Sequence, residues 1–277
     1  MAIIALILLQ YCGSIIKTKF QYMKRSESFA NNSVRNAILV LEYLAKVDHP
    51  QNLSMISKAL GMNKSTVYRL LSTLEESYYV SQNETTKQYS LGARVSWLSS
   101  RFLEKNEICS VARPYLETLS QKINETIHLG ILEHSGVTYI DKINGREAVI
   151  MASRIGGRTA VHCTALGKAL LAFQPESKWR EYVEQNGLPA RTENTITDPD
   201  QFYKELAKIR ELGISIDNIE NEEGIRCVAS PIFDASNNVV AAVSVSSWII
   251  NMTMERVQQI VPLLQSTTAE ISAHLGK

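Results

Sequence analysis

The sequence predicts an α+β protein of two domains, a small helical one that ends in a hairpin and a larger one of mixed strands and helices. Between residues 33 and 92, apolar residues recur three times at helical spacing before two short strands. From residue 126 onward, apolar residues alternate with a period of two in several segments, and helical segments lie between them. The sign of the net charge also changes at the boundary between the two predicted domains. Residues 17–91 carry ten Lys/Arg against six Asp/Glu, and residues 92–277 carry nineteen against twenty-two.

The composition fits a globular protein. Of the 277 residues, 45% are hydrophobic and 21% are charged, and the net charge of +1 does not by itself indicate a nucleic-acid partner. The four cysteines form no C-x-x-C pair, which argues against a zinc site, and their scatter fits reduced thiols. We therefore expect a cytoplasmic protein without a metal or a cofactor.

Residues 1–32 are interpreted as an N-terminal extension. The apolar run at residues 2–9 is too short to span a bilayer, and no positive charge precedes it. Met23 is followed by Lys24, Arg25 and Ser26, as at an ordinary N-terminus. We expect translation to begin near Met23, with a signal peptide as the alternative.

The N-terminal domain, residues 33–92, contains three predicted helices and a hairpin. The first helix ends before Pro50, and the second ends at Gly61, where a tight turn favours a residue that accepts positive φ. Asn63 is the expected N-cap of the third helix. The apolar residues at helical spacing are Val34, Ile38, Leu41 and Ala45 in the first helix, Leu53, Ile56 and Leu60 in the second, and Val67, Leu70, Leu71 and Leu74 in the third. Strands at 79–82 and 88–91 complete the order of a winged helix-turn-helix.

A linker helix is expected over residues 93–112, before a C-terminal domain that spans 113–277. On the linker, Val95, Leu98 and Phe102 are candidate contacts between subunits, or they pack against their own domain. The predicted C-terminal helices cover 108–123, 165–173, 178–185, 199–212 and 254–275, and the predicted strands cover 126–133, 137–143, 149–153, 227–233 and 239–246.

A polar stripe on the third helix predicts contact with DNA. Helical spacing places it opposite the apolar face, and no acidic residue lies in the first turns. Arginine can bind a guanine edge through two hydrogen bonds, while lysine and hydroxyl groups bind phosphates. A solvated helix face is the alternative. The candidate DNA-binding residues are Asn63, Lys64, Ser65, Thr66, Tyr68, Arg69 and Ser72, with Lys87 in the hairpin loop.

Several motifs resemble one family of bacterial transcription factors. The segment ISKALGMNKSTVYRLLSTLEESYYV is similar to the DNA-binding segment of the IclR (isocitrate lyase regulator) family. HCTALGKALLA from His162, GIRCVASPIFD from Gly224 and AAVSVSS from Ala241 follow in the family's order, over residues 33–276. The resemblance implies a regulator, not an enzyme, with a winged helix-turn-helix and a GAF-like effector-binding domain. It also implies an operator DNA and a homodimer or homotetramer.

The residues before the predicted helix at 165–173 suggest an anion site. Thr164 can cap this helix, so that the backbone amides of Ala165, Leu166 and Gly167 point outward and attract a carboxylate. Ser244 and Ser246 lie on one face of a strand. They are either hydrogen-bond donors to a ligand or core serines whose hydroxyls are satisfied within the protein. Asp217 can accept hydrogen bonds from a ligand. Arg154 and Arg158 are candidate carboxylate partners, although solvated surface arginines are the default.

The resemblance assigns effector contacts to the positions matching Ala165, Leu166, Asp217, Cys227, Ser244 and Ser246. His128 and Gly130 face the same way in the first strand of the domain and can also line the cavity. ETIHLG at Glu125 and SRIGGR at Ser153 resemble regulators of the 2-keto-3-deoxygluconate type, which points to a keto-deoxy sugar acid as the effector. For the regulator as a whole we expect repression, with activation as the alternative. One departure is Ile219, at a position where the family often has Glu. It predicts a less acidic neighbourhood for Asp217.

Two other functions compete with a regulator. A GAF-like thiol enzyme would use Cys163 and Cys227 as spatial partners. His162 is poorly placed as a base for Cys163, because neighbours on an extended segment point to opposite sides. A DNA-binding architectural protein without a ligand does not account for a second domain of this size.

Overall fold

The computed structural model describes residues 31–134, 136–145 and 153–277. The chain forms two compact units that divide between Arg101 and Phe102. The proposed start at Met23, the apolar run at residues 2–9 and most of the strand predicted at 149–153 lie outside the described residues. No helix in the described ranges is both long enough and apolar enough to cross a membrane.

The N-terminal unit has the predicted order of three helices and a hairpin. Its elements are α1 (Asn32–Lys46), α2 (Leu53–Leu60), α3 (Lys64–Glu76), β1 (Val80–Gln82) and β2 (Tyr89–Leu91). The next helix, α4 (Ala93–Lys105), contains the boundary between the two units. Gly61 ends α2 with φ +65°, and its N–H donates to the Ser57 carbonyl, as the turn requires. The two strands pair antiparallel, with Val80 opposite Leu91.

The core of this unit differs from the prediction on one helix. Val34 and Ile38, expected on the buried face of α1, are exposed, whereas Val40 and Leu44 are buried. The cause is that α2, α3 and β2 all pack on the other side of α1. The buried apolar residues are Val40, Leu44, Ile56, Val67, Leu71, Val80 and Tyr89.

The C-terminal unit is built on one antiparallel sheet with helices on both faces. Its elements are α5 (Glu107–Ile123), β3 (Thr126–Glu133), β4 (Gly136–Ile143), β5 (Arg158–Thr159), α6 (Ala165–Ala172), α7 (Glu176–Asn186), α8 (Pro199–Leu212), β6 (Ser215–Asn218), β7 (Ile225–Phe233), β8 (Val239–Trp248) and α9 (Met254–His274). The strand order is β5-β4-β3-β8-β7-β6.

The two faces of the sheet carry different cores. Val243 and Val245 of β8 pack with α5 and α9, while Ala242 belongs to the core formed with α6, α7 and α8. Because side chains alternate along a strand, Ser244 and Ser246 lie on the α6 face. The sheet therefore presents a largely apolar face to α5 and α9, and a face with buried polar residues to α6.

Two strands, β5 and β6, were not predicted from the sequence. They have two and four residues, too few to show a period, and both are edge strands that pair on one side only. Their existence depends on β4 and β7, which supply the partners. Within the predicted linker segment 93–112, α4 ends before Asn106, whose side chain caps α5.

Candidate functional site

The polar stripe of α3 lies on the surface. Val67 and Leu71 face the core of the unit, while Tyr68 is 57% exposed. Ser72 is half-buried. The remaining candidates on this helix, all exposed, are Asn63, Lys64, Ser65, Thr66 and Arg69. The helix thus presents hydroxyls and two cations together, as a surface that reads base edges and phosphates requires.

The N-terminus of α3 is open. Asn63 occupies the N-cap position, and its carbonyl accepts the Val67 N–H at 3.1 Å. Its side chain, expected to cap the helix, makes no capping hydrogen bond. Gly61, three residues before α3, ends the preceding helix α2 and does not cap α3. The amide side chain of Asn63 and the first-turn N–H groups are therefore available to an anion such as a phosphate.

Lys87 sits at the tip of the hairpin. The Asn83 side chain accepts the N–H groups of Thr85 and Thr86 at 3.0 and 2.9 Å, which shapes the loop. Lys87 then takes a left-handed backbone with φ +55° and donates its own N–H to the Asn83 carbonyl at 2.8 Å. Its side chain is exposed. The loop thus presents one cation at the end of the hairpin.

In the C-terminal unit, the strand register brings the predicted polar residues into adjacent rows. Asp217 lies opposite Cys227, which lies opposite Ser246. Ser244 lies opposite His128 on the neighbouring strand. All lie on the α6 face of the sheet, and α6 packs across β3, β4, β6, β7 and β8 there. Residues 128, 217, 227, 244 and 246, distant in sequence, therefore meet beside one helix.

His128 is the centre of one hydrogen-bonded group. Its Nδ1 lies 3.5 Å from the Ser246 hydroxyl and its Nε2 lies 2.7 Å from the Ser153 hydroxyl. The Tyr139 ring lies 4.9 Å from the His128 ring. Burial, assisted by the charge of Lys142, lowers the pKa of His128 to about 3. The imidazole is therefore neutral at pH 7 and offers one donor and one acceptor.

Asp217 is buried at the end of β6. Its Oδ1 accepts the N–H of Glu220 at 2.7 Å and that of Asn221 at 3.4 Å. Burial, assisted by the Glu220 charge, raises the pKa of Asp217 to about 7, although the Glu220 N–H and the charge of Lys168 both favour the ionised form. Glu220 supplies one carboxylate beside Asp217, and Ile219 supplies none.

The N-terminus of α6 differs from the prediction at Gly167. Thr164 caps the helix as expected, and its hydroxyl accepts the Gly167 N–H at 3.1 Å, so that amide is already bonded. A Cβ at Gly167 would lie 2.3 Å from the Val161 carbonyl oxygen, which shows that the glycine serves close packing. In the described part of the chain, the amides of Ala165 and Leu166 have no acceptor. Two amides, not the predicted three, are therefore available as donors at this end of the helix.

The predicted arginines are not part of the buried rows. Arg158 donates to the Glu133 carbonyl at 2.8 Å beside the edge strand β5. Arg154 is exposed. Neither guanidinium shares the burial of Asp217 and His128. Gly130, whose missing Cβ leaves room for Val137 and Leu166, packs closely with its neighbours.

The two cysteines of the alternative enzyme are not activated. Burial raises the pKa of the Cys163 thiol to about 12 and raises that of Cys227 well above its ordinary value. His162 bonds the Pro189 carbonyl at 3.0 Å and approaches the Tyr182 hydroxyl at 3.4 Å, whereas Cys163 donates to Asn221 at 3.5 Å. Neutral thiols are weak nucleophiles, so the geometry supports no thiol chemistry.

A buried ion cluster was missed by the sequence reasoning. Lys168 of α6 is fully buried and lies 2.6 Å from Glu220 and 3.4 Å from Glu205. The signal was present as a single charge inside the apolar run TALGKALLA. A lone lysine in such a run must find a partner elsewhere in the chain, but the sequence does not say where.

Two open grooves on the C-terminal unit lie away from the polar rows. One, of about 430 Å³, lies between α8 and β6 and includes Glu205 and Glu220. The other, of about 480 Å³, lies between α8 and α9. None of the predicted effector residues lines either groove.

Comparison with known proteins identifies the family. Residues 33–84 match the IclR helix-turn-helix domain, and residues 100–273 match the C-terminal domain of the bacterial transcriptional regulators IclR. The HTH-type transcriptional regulator KdgR of Escherichia coli K12 is 34% identical over 88% of this chain and 94% of its own length. The transcriptional repressor IclR of the same organism is 28% identical over 88% and 90%.

Solved structures agree. The Thermotoga maritima IclR superposes with a TM-score of 0.78 at 34% identity, covering 89% of this chain and 99% of its own. An IclR homologue from Microbacterium hydrocarbonoxydans, solved in complex with 4-hydroxybenzoate, gives 0.76 at 27% identity, covering 88% and 98%. The relatives are transcriptional regulators, and none of the names above is that of an enzyme. The chain belongs to the IclR family and is a DNA-binding transcriptional regulator.

Proposed function

We propose that the protein is a repressor whose affinity for its operator is controlled by a small carboxylate. The carboxylate binds on the α6 face of the C-terminal sheet, and α3 reads the operator. The observation that carries this proposal is the convergence of His128, Asp217, Cys227 and Ser246 on one buried face beside the start of α6. Burying polar groups costs free energy, so a cluster of them that converges on one face is a candidate for binding a polar ligand.

The chemistry of this face suits a hydroxylated acid. The amides of Ala165 and Leu166 would take the carboxylate at the positive end of the helix. Ser244, Ser246 and neutral His128 would bond hydroxyl or keto oxygens, and Asp217 would accept from a hydroxyl. Cys227 and Gly167 would border the ligand without bonding its anion, and exposed Arg154 would act only at the entrance.

Two similarities support an acid of this kind. The relative from Microbacterium hydrocarbonoxydans was solved with 4-hydroxybenzoate, which carries one carboxylate and one hydroxyl. The motifs around Glu125 and Ser153 resemble regulators of the 2-keto-3-deoxygluconate type. We infer a keto-deoxy sugar acid as the effector.

On DNA, the exposed stripe of α3 would enter the major groove, and Lys87 would reach the backbone or the minor groove. Because one recognition helix reads few base pairs, a symmetric homodimer or homotetramer on a palindromic operator is proposed. Leu98 and Phe102 of α4, 46% and 50% exposed, are available for subunit contact. A regulator of chromosomal operators acts in the cytoplasm.

The experiment is an anisotropy titration with the intergenic DNA beside the gene, without addition and with a panel of keto sugar acids. We expect steep salt dependence and one compound that weakens binding, by a coupling of roughly 1–3 kcal/mol. Repression predicts weaker binding with effector, and tighter binding would contradict it.

A double variant tests whether the effector binds at the proposed site. Calorimetry of Ser246→Ala/Asp217→Ala should show at least a tenfold loss of affinity, about 1.4 kcal/mol. Ser247→Ala is the matched control, since Ser247 is the next residue on β8 and faces the opposite side. Unchanged affinity in the double variant, or an equal loss in the control, would refute this site.

A further inference from the structure

Lys168 is a charged residue inside the core of the C-terminal unit. None of its side chain is exposed. An ammonium buried without partners would cost several kcal/mol, so its contacts decide whether it can stay charged. Its Nζ donates to Glu220 at 2.6 Å, to the Ile216 carbonyl at 2.7 Å and to Glu205 at 3.4 Å. One cation thus joins α6 to α8, to β6 and to the turn that follows β6.

The turn after β6 connects Lys168 with Asp217. The Glu220 side chain bonds Lys168, while the Glu220 N–H bonds the Asp217 carboxylate at 2.7 Å. The same Glu220 oxygen accepts the Asn218 N–H at 3.4 Å. The second oxygen of Glu220 has no partner among the described residues. The position of the Asp217 carboxylate therefore depends on Glu220, and the Glu220 side chain is held chiefly by Lys168.

The turn itself is strained. Ile219, a β-branched residue, takes a left-handed backbone with φ +63°, a conformation that L-residues with a branched Cβ disfavour. Thr192 and Thr195 donate to the carbonyls of Ile219 and Glu220, each at 2.6 Å, and hold one side of the turn. Lys168 holds the other side. Such a conformation persists only while its surroundings impose it.

We propose that Lys168 is a positioning residue of the effector site: by holding Glu220, it keeps the turn in the shape that presents Asp217 to the effector. The proposal rests on the proposed function, which places Asp217 in that site. The charge of Lys168 also lowers the pKa of Asp217 against the effect of burial. Lys168 therefore favours the ionised carboxylate, which accepts hydrogen bonds.

The test uses the full-length protein and Lys168→Met, which removes the ammonium and keeps the length of the chain. Hydrogen exchange of the Glu220 and Asn221 amides should become at least tenfold faster, while amides of α9 stay unchanged. The Kd for 2-keto-3-deoxygluconate should rise at least tenfold. Operator affinity without effector should stay within twofold. The reason is that the hydrogen-bond partners of Lys168 all belong to the C-terminal unit, whereas α3 belongs to the N-terminal unit.

A second variant separates positioning from folding. Lys168→Met leaves Glu220 unpaired, whereas Lys168→Met/Glu220→Leu removes both charges and should recover the midpoint of denaturation. A purely structural role predicts that effector affinity recovers with it, and positioning predicts that the Kd stays at least tenfold high. Glu205→Gln is the matched control, since it removes the carboxylate charge from the longest of the three Lys168 contacts and should change the Kd by less than threefold.

Unchanged exchange of the two amides in Lys168→Met would overturn the proposal, as would an effector Kd that recovers fully in the stable double variant. Faster exchange with an unchanged Kd would also overturn it, because the turn would then lie outside the site. If the wild-type protein does not bind the keto sugar acid, the proposed effector is wrong. The exchange rates of the two amides still decide in that case whether Lys168 holds the turn.

Discussion

The carboxylate of Asp217 accepts the backbone N–H of Glu220 at 2.7 Å, inside a turn where burial raises the pKa of Asp217 to about 7. The carboxyl is therefore close to half protonated at neutral pH. It can accept a hydrogen bond when ionised and donate one when protonated. The unfolded chain, in contrast, loses this proton near pH 4.

This difference predicts how stability depends on pH. Between about pH 4 and 7 the folded protein holds a proton that the unfolded chain has released, so Asp217 makes stability fall as pH rises, by at most about 1.4 kcal/mol per pH unit. Asp217→Asn removes this effect and keeps the oxygen that accepts the Glu220 N–H. The variant should gain stability relative to wild type as pH increases from 4.5 to 7, measured by urea denaturation.

The matched control is Asp234→Asn, which changes a half-exposed turn carboxylate whose pKa is lowered by backbone N–H donors. Its stability difference from wild type should not grow in the same pH range. Parallel curves for wild type and Asp217→Asn would show that Asp217 ionises normally in the folded protein.

Gly167 should tolerate no side chain. In Gly167→Ala the new Cβ would meet the Val161 Cα at 2.4 Å and its carbonyl oxygen at 2.3 Å. Backbone has to move, and overpacking of this kind costs typically 1–3 kcal/mol or more. Thermal denaturation should show the loss. Gly213→Ala is the comparison in the same unit, because a Cβ there meets only the Gln265 side-chain amide at an ordinary 3.6 Å and the left-handed φ of +69° is what disfavours it, a cost of roughly 1 kcal/mol. A smaller loss at Gly167 than at Gly213 would contradict the packing argument.

Arg69 and Lys64 should affect DNA binding in different ways. Arg69→Ala should cost about 1–3 kcal/mol on the operator and relax discrimination at one base pair, since it removes a contact to a base edge. Lys64→Ala should weaken all sequences equally and reduce the salt slope by about one. Lys58→Ala, on the exposed side of α2, is the charge control. Anisotropy at several salt concentrations measures all three, and equal losses at Lys58 and Arg69 would remove α3 from the reading surface.

The exposed apolar side chains of α4 should hold subunits together. Leu98→Glu/Phe102→Glu places two charges where burial in an interface is proposed, which should shift the protein toward a smaller assembly in sedimentation velocity. Ser99→Glu changes a neighbouring exposed residue and should leave the assembly intact. An unchanged sedimentation coefficient for the double variant would exclude this face of α4 from the interface.

The local elements of this fold could be predicted from the sequence. The helices of the N-terminal unit, the turn at Gly61 and the cap at Thr164 depend on residues a few positions apart, whose periodicity, backbone preference and side-chain hydrogen bonds are local. The polar stripe of α3 follows from the same periodicity. The motifs that resemble the IclR family indicate a regulator from the sequence alone.

The tertiary structure decided how distant segments meet. Val34 and Ile38 are exposed because α2, α3 and β2 pack against the opposite side of α1. The edge strand β6 forms only because β7 pairs with it. The row Asp217–Cys227–Ser246 depends on strand register, and register is set by partners far along the chain. Lys168 could be read as a lone charge in an apolar run, but its partners Glu205 and Glu220 lie 37 and 52 residues away. Burying that charge is possible only when the folded chain brings those carboxylates to it.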